Sequence, residues 1–178
     1  YPMQMFYGYK TDGVFLTDDE VGDWYDQTAI AKGSKAGDIR YVDITGDGKV
    51  TPDDKTFLGS RIPKYTFGLN FGGEYKGFDF SVLLQGVAKV KGMLSVYAGH
   101  AFYQEGNIQK WQMENCWNVQ QDNRYPEYPR LEIMSNAGSN NTLTSDFWVL
   151  DASFLKVRNV QLGYTLPEHI VKKFGSTG

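Results

Sequence analysis

Two alternating segments at 65–75 and 78–88, joined by Lys76-Gly77, constrain this chain more than any other feature. In the first, Tyr65, Phe67, Leu69 and Phe71 share one face and Thr66, Gly68, Asn70 and Gly72 the other, because successive strand side chains point to opposite sides. In the second, Phe78, Phe80, Val82 and Leu84 oppose Asp79, Ser81 and Gln85, with Leu83 and Val87 interrupting the polar face. A two-residue loop fixes the register. Tyr75 then faces Phe78, Phe71 faces Val82 and Leu69 faces Leu84, so both apolar faces fall on one side. Gly73 comes opposite Phe80 and Gly86 opposite Phe67, where a ring can cover its neighbour's bare backbone. A strand of this length matches the roughly 9–11 residues that a tilted strand needs to cross a bilayer. A soluble sandwich hairpin shows the same alternation, so the pattern alone leaves both readings open.

Composition narrows the choice. Aromatic residues make up 15% of the 178-residue chain, with 12 Tyr and 20 Gly, a mixture suited to strands, tight turns and interfacial girdles. The expected fold class is all-β and antiparallel. A net charge of -3 and no basic run exclude a nucleic-acid partner. The single cysteine, Cys116, cannot form an internal disulfide and is expected to pack. No apolar run approaches the roughly 18 residues of a transmembrane helix. No targeting region follows Tyr1, so the expectation is a segment cut from a longer chain.

Tyr7 to Phe15 reads as a strand and turn. Thr17-x-x-Glu20 has capping-box spacing, which predicts a short helix over about residues 18–31. Regular periodicity fades from 89 to about 147, far beyond the usual loop of roughly 4–6 residues. Residues 153–166 return to strand-like alternation, and Pro167 with the amphipathic tail 168–174 ends it.

The acidic stretch Asp43-Ile-Thr-Gly-Asp-Gly-Lys-Val-Thr-Pro-Asp-Asp54 follows EF-hand grammar. Oxygen ligands stand at positions one, three and five, a glycine at six and a carboxylate at twelve. Asp43, Thr45 and Asp47 would bind Ca²⁺ through side chains and Lys49 through its carbonyl; Thr51 would serve position nine and Asp54 would close the shell. Thr45 and Asp54 depart from the usual residues, aspartate at twelve being more typical of dockerin loops. The expected role is structural, since no catalytic group is arranged beside the loop; an Asp/Gly-rich surface turn that binds nothing is the alternative.

Nothing else points to catalysis, and the chain is not expected to be an enzyme. His100 and His169 stand far apart without partners at metal-ligand spacing. Among Glu105, Glu114, Glu127 and Glu132 no two are singled out as a glycosidase pair. Trp111 and Trp117 could contact a substrate or partner, or pack the long loop's own small core.

The stretches GYKTDGVF (8–15), GDIRYVDITGDGKVTPDD (37–54), LGSRIPKYTFGLNFGGEYKGFDFSVLLQG (58–86) and FWVLDASFLKVRNVQLGYTLP (147–167) occur in the order found in the C-terminal part of the SusC/RagA family. The chain resembles these TonB-dependent outer-membrane transporters. The resemblance implies one C-terminal barrel domain over 1–178, in a bacterial outer-membrane barrel of roughly 22 strands. Within it, 1–62 would hold a strand, the short helix and the calcium-like loop, and 63–88 a transmembrane hairpin with a periplasmic turn. Residues 89–150 would form a long extracellular loop region, and 151–178 a transmembrane strand and periplasmic turn. Tyr65, Phe67, Leu69, Phe71, Phe80, Val82 and Leu84 would face membrane lipid. The implied partners are a SusD-type surface lipoprotein, TonB through a missing N-terminal part, and a glycan or peptide nutrient. The rival reading is a secreted carbohydrate-binding β-domain with a dockerin-like calcium loop, although dockerins normally pair two such loops.

Overall fold

The computed structural model describes residues 3–120, 123–133 and 140–173. In chain order the strands are β1 (Met5–Gly8), β2 (Thr11–Val14), β3 (Ile39–Tyr41), β4 (Thr56–Ser60), β5 (Tyr65–Tyr75), β6 (Phe78–Ala88), β7 (Lys91–Met93), β8 (Val149–Asp151) and β9 (Phe154–Tyr164). The α-helices are short: α1 (Asp19–Asp23), α2 (Val96–Gly99), α3 (Lys110–Asn115) and α4 (Glu168–Lys173). Every strand ladder among the described residues is antiparallel, as the all-β expectation requires. Among the described residues the strands do not close into a barrel.

The chain divides into two compact units. One comprises Ile62–Val90 and Ala152–Gly178; the other comprises Tyr1–Arg61 and Lys91–Asp151.

The first unit is built on the three-stranded sheet β5-β6-β9. Lys76 and Gly77 both have positive φ, 49° and 84°, the type I′ geometry whose twist matches the strands it joins. The register is the expected one: Tyr75 pairs with Phe78, Phe71 with Val82, Leu69 with Leu84, Gly73 with Phe80 and Gly86 with Phe67. β9 then pairs with β6, bringing Tyr164 to Phe78, Leu162 to Phe80 and Val160 to Val82. There the register shifts: Leu83 pairs with Asn159 but Leu84 with Val157, leaving Arg158 as an extra residue. This β-bulge was not foreseen, although its signal is in the sequence. Leu155 and Val157 are out of phase with Val160, Leu162 and Tyr164, and only one inserted residue places all five on the same face.

The second unit is assembled from three two-stranded ribbons, β1-β4, β2-β3 and β7-β8. Its core gathers Tyr9, Val14, Ala31, Ile39, Tyr41, Val50, Ala101, Tyr128 and Trp148. The stretch beyond residue 90, expected as one long loop region, thus contributes β7, β8 and the core residues Ala101, Tyr128 and Trp148. Helix α1 is shorter than expected. It contains Gly22, a weak helix former, and the chain turns extended at Trp24 (ψ 172°). That turn lets the Trp24 indole N–H donate to the Tyr41 carbonyl at 2.8 Å and places the Arg40 guanidinium 4.1 Å over its ring. Tertiary partners overrode a continuation of the helix.

Candidate functional site

The sheet has two contrasting faces. On one, Tyr65, Phe67, Leu69, Phe71, Phe80, Leu155, Val157, Val160, Leu162 and Tyr164 are all exposed, Leu162 to 78%. Val82 and Leu84 lie half-buried among them. The opposite face carries Thr66, Gly68, Asn70, Asp79, Ser81, Gln85, Lys156, Asn159 and Gln161, interrupted by Leu83, Val87 and Phe154, and Ser81 reaches Gln161 at 3.4 Å. An apolar surface this continuous marks a membrane or partner contact. Aromatic side chains stand at the turn end, where Phe78 and Tyr164 approach to 4.4 Å between ring centroids, and Tyr65 stands at the other end. Each strand has 11 residues. At about 3.3 Å per residue that is about 36 Å, or about 25 Å of height at a 45° tilt, the height of an outer-membrane apolar band. β5 and β9 each present an unpaired edge within the sheet, which ordinary soluble proteins blunt or cover.

In the other unit, the 43–54 loop turns sharply through Gly46 and Gly48, whose φ values are 79° and 84°. Three of the expected ligands meet. The Thr45 hydroxyl lies 3.2 Å from Asp43 Oδ1 and 3.0 Å from Asp54 Oδ1. Asp43 also accepts from the Gly46 and Gly48 N–H groups at 2.6 and 2.7 Å. Asp54, fully buried, accepts from the N–H groups of Ile44, Thr45 and Thr51 at 2.7–2.9 Å. Burial works to raise its pKa, but the bonds from Thr51, Thr45 and Ile44 outweigh it and hold the carboxyl at about 2. Asp47 accepts from the Lys49 N–H at 2.9 Å, and Thr51 caps the turn Pro52–Asp54. The set suits a hard cation in donor chemistry and brings positions one, three and twelve together, with Asp47 turned to its own backbone. Among the described residues no group of three or more His, Cys, Asp or Glu is placed to hold a metal.

The remaining sequence candidates, His169 excepted, lie in that same unit. Trp117 is partly buried, and a Cβ at Gly37 would stand 2.3 Å from its ring, so this residue must be glycine for the ring to pack. Trp111 meets Tyr128 edge to face at 5.6 Å and lines a concavity of about 350 Å³ with Leu94, Pro126, Glu127, Phe147 and Leu150. Sequence reasoning missed the ionic cluster at the centre of the unit. There Arg130 pairs with the buried Asp38 and with Glu132, while Asn141 donates to Asp38 at 2.8 Å and accepts from the Ile39 N–H. Burial pushes the Glu132 carboxyl up and the His100 imidazole down. His100 contacts Trp148 edge to face at 5.3 Å; the His169 side chain lies outside the described residues. Cys116 is a partly buried free thiol packed against the core.

No family model matches the chain. It is similar to three curated proteins of Formosa agariphila. TonB-dependent receptor P3 is 28% identical over 171 residues, 96% of this chain and 16% of that protein. TonB-dependent receptor P26 is 27% identical over 177 residues, 98% of this chain and 16% of that protein. TonB-dependent receptor P39 is 26% identical over 147 residues, 79% of this chain and 14% of that protein. The chain therefore spans about one sixth of the length of the relatives it matches.

Proposed function

We propose that these residues form part of the wall and surface loops of an outer-membrane β-barrel of the SusC/RagA kind, which imports glycan or peptide nutrients using TonB. The observation that carries this reading is the bulge at Arg158. It keeps Leu155 and Val157 in phase with Val160, Leu162 and Tyr164, so one face stays apolar along three strands each of membrane-crossing length. Lipid explains that face, neighbouring strands explain the two open edges, and a polar lumen explains the other face. Similarity to receptors named for TonB supports the same reading. On it, Lys76-Gly77 is a periplasmic turn, and the segments joined to the sheet at Tyr65, Ala88 and Phe154 are extracellular.

A SusD-type lipoprotein on the extracellular side is the proposed partner, with Trp111 and Glu127 at the concavity as contact residues for partner or nutrient. Calcium at Asp43, Thr45, Asp47, Lys49, Thr51 and Asp54 would stiffen the loop; with few carboxylates converging, the site belongs to the weak class of extracellular calcium modules. The rival secreted carbohydrate-binding domain leaves the exposed face of β5, β6 and β9 unexplained.

The test places a charge on each face of β9 in the full-length protein. Val160→Arg should block barrel assembly, read as loss of the heat-modifiable band in outer membranes, because a cation at mid-bilayer costs about 2–4 kcal/mol. Gln161→Arg, one residue along and on the other face, should assemble normally. Equal behaviour of the two variants would sink the proposal.

A further inference from the structure

The bulge also decides where Arg158 points. An ordinary strand would carry residue 158 to the same face as Val160, where an arginine would meet lipid. Instead Arg158 borders a shallow concavity of about 450 Å³ lined by Thr66, Gly68, Leu83 and Gln85 of the polar face, with Phe67 and Leu84, the residues between them in sequence, completing its wall. Gly68 keeps this hollow open: a Cβ there would meet nothing nearer than the Leu84 carbonyl at 3.8 Å. The Arg158 side chain makes no hydrogen bond or ion pair among the described residues, and its neighbours on that face are neutral except for Lys156. The carboxylates of the same face, Glu74 and Asp79, face each other at the turn end. Asp79 pairs with Gly163, so the rise along β9 from there to Arg158 is about 16 Å, beyond the reach of a guanidinium. The sheet thus holds an unneutralised cation near mid-strand, aimed by a device that bends strands beside functional sites.

We propose that Arg158 is a docking residue for a carboxylate carried by a segment of the same polypeptide outside these 178 residues, one that fills the barrel lumen. The inference rests on the barrel reading, because only in a barrel does the polar face look onto a lumen. Wide outer-membrane barrels hold a plugged lumen, and the relatives are about six times longer than this chain, which leaves ample polypeptide to supply the plug. The planar guanidinium matches a carboxylate through two parallel hydrogen bonds, and the hollow over Gly68 gives that carboxylate room to approach.

The test replaces Arg158 with the photo-crosslinker p-benzoylphenylalanine in the full-length protein in outer membranes, with adducts mapped by mass spectrometry. The expected product is a crosslink to a peptide outside residues 1–178 that contains Asp or Glu. Arg158→Glu should then raise leakage of a large hydrophilic dye through the barrel, and reversing the identified carboxylate to Arg should restore the wild-type rate. An assembled barrel with no polypeptide adduct, or with adducts only to added cargo, overturns this inference alone. Adducts to lipid overturn the assignment of faces, and with it the barrel reading.

Discussion

The ring of Phe67 lies on the bare backbone of Gly86 across the β5-β6 pair, so that a Cβ at Gly86 would stand 2.4 Å from Phe67 Cζ and 2.9 Å from the Phe154 carbonyl. The Phe154 contact comes from backbone and cannot give way by a rotamer change. Phe80 covers Gly73 in the same manner, with closest approach 3.0 Å. Aromatic residues on the apolar face are therefore seated by glycines in the neighbouring strand.

Gly86→Ala should destabilise the sheet by about 1–3 kcal/mol, the usual cost of forcing a methyl group into a filled site. Gly68→Ala, with open space over it, should be close to neutral. Urea denaturation of the full-length protein in detergent compares them, and equal midpoints would refute the seating argument.

Deleting Arg158 should be tolerated. Without the extra residue β9 becomes a regular strand, because Val157 and Val160 then stand two positions apart and Leu155 and Val157 stay in phase with Val160, Leu162 and Tyr164. The deletion should retain the heat-modifiable band, as should Arg158→Ala. Loss of the band on deletion but not on Arg158→Ala would mean that Arg158 is not the extra residue of the strand.

Calcium should bind the 43–54 loop with a dissociation constant of about 10⁻⁴–10⁻³ M, the range of extracellular modules. Asp43→Ala, which removes the carboxylate that also holds Gly46 and Gly48, should eliminate binding. Isothermal titration of chelator-treated full-length protein checks this; no heat from wild type, or equal heat from the variant, would show that the loop does not hold the ion.

Acid should loosen the same loop. Asp54 is held at about 2 in the folded protein against an ordinary value of 3.8. Its folded-state pKa being the lower one, its stabilisation is complete above the unfolded value and fades as pH falls from about 4 towards 2. Protease cleavage within 43–54 should rise through that window, and Asp54→Asn should cleave readily at every pH. A wild-type loop equally resistant at pH 2 and pH 6 would contradict this.

The sheet was largely legible in the sequence. The alternation at 65–75 and 78–88 and the two-residue turn were enough to place Tyr75 on Phe78 and Phe67 on Gly86, because strand period and turn geometry are local properties. The Asp43–Asp54 spacing likewise announced a sharp acidic loop, whose glycines do adopt left-handed conformations. The phase slip between Val157 and Val160 was equally present, but a break in alternation tells where a strand stops being regular without telling how its partner absorbs the extra residue. Only pairing with β6 decided that, and turned Arg158 to the polar face. The interior of the other unit was beyond sequence reading for a related reason. Asp38 meets Arg130 and Asn141 across 92 and 103 residues of chain. Tyr41 and Trp148 likewise share one core. No local periodicity encodes such meetings; they follow from burial, which leaves a charge like that of Asp38 stable only where distant partners satisfy it.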